Sequence, residues 1–442
     1  MSITNSAIVI LGASGDLTKR KLMPAIAGLF KEKYIDTSTI VIGSARTIFT
    51  TEEFRSRFDL PEDFSQSLYY HPGIRGLKDF ITKKGNFSHI IFFLALPPAA
   101  YEQTAAMLAE EGFGRECRLI IEKPFGYNYQ SAREINEKLL KYCNEDQIFR
   151  IDHYLAKEAV QNILVFRYAN SIFYPVWNGN YIESIQVNAF EDIGIVDRGK
   201  YFDTAGIIRD MVQNHLFQLI SLLTMEAPVS LNAEDIRIQK INLLKSIELV
   251  SCRRYQYEGY LEEKNIASDS TTETYAELKF VINNFRWDGT PVYIKVGKAL
   301  NRRGTEIGVR FKSLPRLLFN KDGNVSPNRI IFKIQPAEGI IVDISSKTPG
   351  NELKLVGTTL KFCFHDYFKD EIQDAYNRLL LDALQGDSTL FVSKEEVEIA
   401  WKKLEPILDK GELMYYRKGT VPPSTLDVDW INFEKYKSAC EE

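Results

Sequence analysis

No two cysteines in this chain stand at CxxC spacing, and no histidine–cysteine cluster is present. The five cysteines, at 117, 143, 252, 363 and 440, are scattered. They read as buried or free thiols in a reducing compartment, not as a disulfide framework. The five histidines form no HExxH, so no structural or catalytic metal is expected. Long hydrophobic runs are missing too. Ala7 to Leu11 is far too short for a signal-peptide core or a membrane span, and nothing later approaches one. Nor is there an excess of positive charge: the net charge is -4, which disfavours nucleic acid or an anionic membrane as partner. Repeats and low-complexity tracts are absent. These absences leave a cytoplasmic globular protein. Its 442 residues, 45% hydrophobic and 26% charged, suffice for two or three domains.

What is there begins with a nucleotide-binding pattern. Ala7-Ile-Val-Ile-Leu11 reads as a strand ended by Gly12-Ala-Ser-Gly15. A helical pattern follows, Leu17, Leu22, Ile26 and Leu29, and then a second strand, Ile40 to Gly43. The turn departs from GxGxxG, but two glycines still allow a tight bend and a close approach of backbone to a pyrophosphate. After the second strand comes Arg46, where an NAD-selective site would want a carboxylate. A guanidinium suits a 2′-phosphate and favours NADP; the bland alternative is a solvated loop residue. Further strands at Ile90 to Leu96 and Leu119 to Glu122 alternate with helices, Tyr101 to Glu111 and Ser131 to Tyr142. This predicts a doubly wound parallel sheet to about residue 150.

Beyond that the texture changes. Strands are expected at 181–191, 274–282, 292–296, 305–311, 329–335, 340–345 and 353–364, with a long helix at 207–223. Helices at 375–384 and 394–409 lie near the end. Successive strands with few helices between them indicate an α+β second domain with an antiparallel sheet. The expected division is 1–150 and 151–442. The tail from Gly419 carries prolines and little periodicity, and is expected to be an ordered extension that fades out.

Two places concentrate chemistry. Asp152, His153, Tyr154 and Lys157 fall within six positions after a strand-like run. A helix starting at Asp152 would set His153 and Lys157 on one face, a place to hold a phosphate; an ordinary capped helix start reads equally well. In the long helix, His215 lines up with Ile208, Met211, Leu219 and Leu222. That position fits a core histidine, or a base for hydroxyl oxidation oriented by a carboxylate.

The motifs GASGDLTKRKLMPAI, LALPP, EKPFG, RIDHYLAKEAVQNIL, RGKYFDTAGIIRDMVQNHL, STTETYAELKF with NFRWDGTPVYIKVGKAL, and DAYNRLLLDAL occur in order from residue 12 to about 385. Together they resemble the glucose-6-phosphate dehydrogenase family. The resemblance implies oxidation of glucose 6-phosphate at C1 to 6-phosphogluconolactone with reduction of NADP+. It implies an α/β Rossmann-type N-terminal domain and an α+β C-terminal domain with a large mainly antiparallel sheet, assembled as a homodimer or homotetramer. It implies His215 as general base and Asp152 as its orienting carboxylate. His153, Tyr154 and Lys157 match phosphate-binding positions; Lys123 matches a lysine between sugar and nicotinamide. Glu191, Asp210, Lys298 and Arg303 match substrate-binding positions. Gly12, Ser14, Gly15, Asp16 and Leu17 are expected around the pyrophosphate, Arg46 at the 2′-phosphate, and Ala95, Pro97 and Lys123 along the cofactor. Two segments are short for the family, about 49–89 and 252–269. Gly304 stands where some relatives have a basic residue, so the second, structural NADP site of some relatives is left open. A same-fold dehydrogenase of another sugar or sugar phosphate, or a non-catalytic regulatory paralogue, are the competing classes.

Overall fold

Runs of β-branched and aromatic residues form sixteen strands among the residues that the computed structural model describes: 3–316, 318–320, 325–368 and 374–440. In chain order, β1 is Ser6–Leu11, β2 Ile40–Ser44, β3 Leu68–Tyr70, β4 His89–Leu94, β5 Cys117–Ile121, β6 Ile148–Ile151, β7 Ile182–Phe190 and β8 Ile247–Tyr257. Then come β9 Tyr275–Ile282, β10 Pro291–Gly297, β11 Gly304–Phe311 and β12 Arg329–Gln335. The last four are β13 Gly339–Lys347, β14 Leu355–Cys363, β15 Phe391–Val392 and β16 Leu413–Tyr416.

The chain divides into two compact units. The first comprises 1–156, 228–241 and 373–402; the second comprises 157–227, 242–372 and 403–442. The first unit therefore takes in two segments from far along the chain, which a continuous division at 150 does not contain. Its sheet runs β15-β6-β5-β4-β1-β2-β3, parallel throughout except for β15. Residues of β1 and β4 are buried on both faces, which is why they read as unbroken apolar runs. The helix Ala375–Gln385 supplies Leu379, Leu380 and Leu384 to that core. Polar contacts fasten the late segment: Trp401 Nε1 donates to the Phe125 carbonyl at 3.0 Å, and Lys240 meets Glu396 at 2.6 Å, both buried.

The second unit holds a nine-stranded sheet, β14-β13-β12-β11-β7-β10-β9-β8-β16. It is antiparallel except at β7–β10 and β8–β16. Helices cover one face, with Phe166 and Trp177 packed on Phe332, and Phe217 on Phe280. β8 was not anticipated; it takes up the first part of the segment expected as a shortened loop. The other face carries charge, and the C-terminal tail covers it. Starting with Ser424 and Thr425 at Glu277 of β9, the tail crosses the strands in sheet order. Trp430 lies 3.8 Å from the Lys295 ammonium on β10. Gln186 of β7 accepts from Ile431 N at 2.7 Å and donates to the Asp429 carbonyl at 3.1 Å. Arg310 of β11 pairs with Asp429, and Arg302 with Glu434. Lys333 of β12 donates to the carbonyls of Tyr436, Lys437 and Ala439. Tyr436 and Lys435 reach Asp343 of β13, and Cys440 is disulfide-bonded to Cys363 at the end of β14.

Two expectations are corrected here. The tail does not fade out through 440; it is a strap bonded along its length, while 441 and 442 lie outside the described residues. The cysteines are not all free: Cys363 and Cys440 are paired, leaving Cys117, Cys143 and Cys252 as thiols. Spacing of 77 residues carried no sign of that pairing; only the path of the strap brings the two together. No helix among the described residues is long and apolar enough to cross a membrane.

Candidate active site

In the first unit, β1 ends at Leu11 and the chain bends at Gly12, whose φ is 92°. A Cβ there would sit 2.3 Å from the Ala95 carbonyl oxygen, so both the conformation and the space require glycine. Gly12 N and Ala13 N donate to the Ser44 carbonyl at 2.7 and 3.1 Å, and Gly15 N returns to the Gly12 carbonyl at 3.0 Å. The turn thus lies at the ends of β1, β2 and β4. Helical winding begins at Asp16, which leaves the N–H groups of the first turn as donors for an anion. The residues fit a dinucleotide: bare backbone where a pyrophosphate must approach, and positive charge nearby.

Leu17 and Leu22, five apart, open this helix with a π-turn over Thr18–Leu22 before α-winding continues through Met23–Lys31. Asp16 pairs with Arg20 at 2.8 Å, an exposed pair worth little, and Lys21 reaches Asp374 at 3.5 Å. Arg46 is exposed and makes no hydrogen bond or ion pair among the described residues. Pro97, also exposed, precedes the short turn Pro98–Ala100. Lys123 follows β5. Its neighbour Glu122 accepts from the Tyr376 hydroxyl at 2.9 Å, and burial pushes the Glu122 carboxyl up to about 7.

Asp152, His153 and Tyr154 follow β6, but not on a helix. Residues 152–157 form a turn, and the helix is Glu158–Tyr168, with Lys157 extended at its N-cap, φ -73° and ψ 137°. The cause is local: Asp152 Oδ1 accepts Tyr154 N, and the Asp152 carbonyl accepts Leu155 N, each at 3.0 Å. Such side-chain bonding competes with helix. His153 and Lys157 therefore do not share a helical face as expected. Asp152 and Tyr154 are buried; His153 and Lys157 are partly open.

In the second unit the expected long helix at 207–223 is two pieces, and a third precedes it. Gly199–Ile207 ends in a kink at Gly206, φ 69°; Ile208–Leu216 is π-helical; Phe217–Thr224 is α-helical. The kink is pinned by buried Glu273, which accepts Ile208 N at 3.1 Å and pairs with Arg254. π-winding has consequences for chemistry, because its repeat is set by i→i+5 hydrogen bonds. Asp210 and His215, five apart, therefore fall on one face, which α-winding would separate. Both are buried.

Lys298 follows β10 and sets its ammonium 2.6 Å from Glu191 Oε2 and 3.8 Å from Asp210 Oδ2. The structure thus brings Glu191, Asp210 and Lys298 together. A buried ammonium bridging two carboxylates is a rigid polar surface able to bind vicinal hydroxyls. Arg303 is not part of the group: it is exposed, with no hydrogen bond or ion pair among the described residues.

Residues 9–162 match the family described as glucose-6-phosphate dehydrogenase, NAD binding domain, and residues 164–435 match its C-terminal domain. The chain belongs to the glucose-6-phosphate dehydrogenase family. It is 39% identical to glucose-6-phosphate 1-dehydrogenase of Dictyostelium discoideum, over 92% of this chain and 88% of that protein. It is 37% identical to that of Aggregatibacter actinomycetemcomitans, over 97% and 96%. A solved glucose-6-phosphate dehydrogenase in complex with its substrate glucose-6-phosphate superposes with a TM-score of 0.91, at 35% identity over 96% of this chain and 97% of that one. The enzyme from Mycobacterium avium gives 0.85 at 31%, covering 95% of each chain.

Within this glucose-6-phosphate dehydrogenase fold, several residues beside the expected set emerge only from the structure. The Tyr201 hydroxyl donates to Asp210 Oδ1 at 3.4 Å, and burial with Asp210 alongside pushes that phenol up. Tyr416 donates to the Lys298 carbonyl at 2.6 Å and contacts Thr274, fixing the turn where Ala299 takes a φ of 52°. Glu338 accepts from Ala159 N at the first turn after Lys157, and burial pushes its carboxyl up. The five-residue spacings, Leu17 to Leu22 and Asp210 to His215, were the one signal in the sequence for the π-turns. The hydroxyl partners left none.

Proposed function

We propose that this chain oxidises glucose 6-phosphate at C1 to 6-phosphogluconolactone, using NADP+. The observation that carries the reading is the buried group of Lys298, Glu191 and Asp210, with His215 one π-turn from Asp210, in a chain matched to the family along nearly its whole length. Bound NADP+ supplies the hydride acceptor. The protein's own part is binding, orientation and one proton transfer. We assign His215 to take the C1 hydroxyl proton as hydride leaves that carbon, and Asp152 to orient the imidazole. His153, Tyr154 and Lys157 are assigned to the phosphate, so that remote binding energy holds the sugar in place. Glu191, Asp210 and Lys298 are assigned to the sugar hydroxyls, and Arg303, which stands apart from that group, to the substrate. The Gly12–Leu17 turn, Ala95, Pro97 and Lys123 are assigned to the cofactor, and Arg46 to its 2′-phosphate.

A spectrophotometric assay tests this directly, comparing NADP+ with NAD+ and glucose 6-phosphate with glucose and other hexose phosphates. His215→Asn is expected to abolish turnover while leaving substrate affinity within a few-fold; near-normal turnover would remove the base assignment. Lys157→Ala is expected to raise KM more for glucose 6-phosphate than for glucose. Equal losses on both would contradict its phosphate role. We further propose a homodimer or homotetramer, supported by exposed Leu353, Val356 and Leu360 on and beside edge strand β14, and testable by light scattering. We place the protein in the cytoplasm on the three free thiols of Cys117, Cys143 and Cys252, against which the Cys363–Cys440 disulfide counts; activity confined to another cell fraction would contradict it.

A further inference from the structure

Arg46 stands on the loop between β2 and the helix Thr51–Arg55. Nothing among the described residues bonds its side chain, so its aim depends on how the loop is held. An aromatic cluster holds it. The Tyr70 hydroxyl contacts the Ala45 carbonyl at 3.3 Å and donates to the Thr47 carbonyl, gripping the backbone on both sides of Arg46. The Phe49 ring lies 5.3 Å from Tyr70 and 6.4 Å from Phe54. Phe54 itself presses on Gly43, where a Cβ would come 2.2 Å from the ring.

Arg57 closes this arrangement. Its guanidinium carbon sits 4.8 Å over the centre of Phe49, and Nη2 donates to the Ser14 carbonyl at 3.2 Å. One planar group therefore touches the glycine turn with its edge and the Arg46 loop with its face, a pairing of contacts that guanidinium allows and ammonium does not. Arg57 makes no ion pair among the described residues, so its charge is not neutralised there. The adjoining groove between it and Lys19 on the first helix is lined by Met23, Pro24, Phe58 and Leu60, which supply no compensating acid. Asp59 also borders the groove but forms no ion pair with Arg57.

We propose that Arg57 is a positioning and specificity-determining residue for NADP+: it fixes the Arg46 loop against the glycine turn and adds a second positive charge to the 2′-phosphate subsite. The inference rests on the assignment of Arg46 to that phosphate. A cofactor without the 2′-phosphate uses the glycine turn but has no call on the Arg46 loop. The effect of losing Arg57 should therefore depend on the cofactor.

The test measures KM and kcat of the full chain for NADP+ and for NAD+ at saturating glucose 6-phosphate, with Arg57→Gln, Arg57→Lys and Arg46→Ala. Arg57→Gln is expected to raise KM for NADP+ about tenfold, the scale of one charge-assisted contact, with KM for NAD+ and kcat changed less than about twofold. Arg57→Lys keeps the charge and loses the fork and the stacking, so a rise of about threefold for NADP+ is expected; this variant carries the test if the glutamine protein does not fold. An equal rise in KM for both cofactors overturns the inference, since Arg57 would then only shape the glycine turn. Loss of NADP+ preference in Arg46→Ala but not in either Arg57 variant also overturns it, and leaves the Arg46 assignment standing. Unchanged preference in Arg46→Ala removes that assignment, and the inference with it.

Discussion

The two sheets of this protein solve the burial problem in opposite ways. In the seven-stranded sheet of the first unit, β1 and β4 place apolar side chains on both faces, and apolar helices cover them. In the nine-stranded sheet, one face is apolar, while the other buries Glu277, Lys295, Glu306, Arg310, Lys333 and Asp343, each no more than 9% exposed. Charge can be buried at low cost only when partners match it; Glu306 takes Arg302, and the strap supplies partners to the others. The difference teaches what each cover is for. Apolar helices hold the first sheet by close packing, whereas a strap that shifts by one residue loses its hydrogen bonds and ion pairs together.

Removing the strap tests this most severely. A chain ending at Gly419 hydrates the charged face, so the ions themselves lose little. What it loses is the packing of Ile431, Phe433, Tyr436 and Ala439 on Ile331 and Ile341, together with the Cys363–Cys440 disulfide. At roughly 1.5–3 kcal/mol for each large buried side chain, the expected loss is on the order of 5 kcal/mol, comparable with the whole stability of many domains. Denaturant unfolding should show it; a midpoint like that of the full chain would mean that the strap is an ornament.

A subtler change keeps the cover and removes one partner. Lys333→Met preserves volume but leaves the carbonyls of Tyr436, Lys437 and Ala439 dry and without that donor. A loss of about 3 kcal/mol is expected from desolvated acceptors. If the methionine variant is as stable as the parent, the charged face is incidental and the two sheets do not differ in kind.

The contrast also explains what was legible in the sequence. Unbroken apolar runs such as Ile90 to Leu96 announced parallel strands, and β7 and β9 to β14 were expected within a residue or two of their bounds. The strap has neither period, because side chains and single carbonyls hold it in place of a ladder or an apolar stripe. β8 begins with exposed Glu248 and Val250, which hide its alternation. At the candidate site, residue types were readable and their geometry was not. Asp152 looked like a helix start until its own carboxylate proved to bond the Tyr154 N–H. His215 looked like one of a core stripe, because an α-period was assumed where the backbone is π-helical.

The smallest expected effect concerns an acid in the apolar sheet that lacks a strap of its own. Glu122, at the end of β5, has the Tyr376 hydroxyl as its hydrogen-bond donor, and burial pushes its carboxyl from 4.5 to about 7. The Tyr376 hydroxyl, the Lys123 charge and the Lys123 N–H lower it and Asp152 raises it, but burial dominates. The folded state thus holds this proton more tightly than the unfolded chain. Below pH 4.5 both states are protonated and there is no penalty; between 4.5 and 7 stability falls as pH rises; above 7 the loss is constant. Discounted for solvent screening, that loss is about 1–2 kcal/mol. Glu122→Gln keeps the acceptor for Tyr376 and removes the titration. Its unfolding free energy should match the parent's near pH 4.5 and exceed it at pH 8, so the difference between the two proteins should grow across that window. Carboxylates under the strap have the opposite surroundings: Asp343 receives Tyr436, Lys435 and Thr359. Asp343→Asn should therefore destabilise at pH 8, where Glu122→Gln stabilises. The two substitutions make the same chemical change, and only the cover differs; if both shift stability in the same direction, the cover is not what sets the sign.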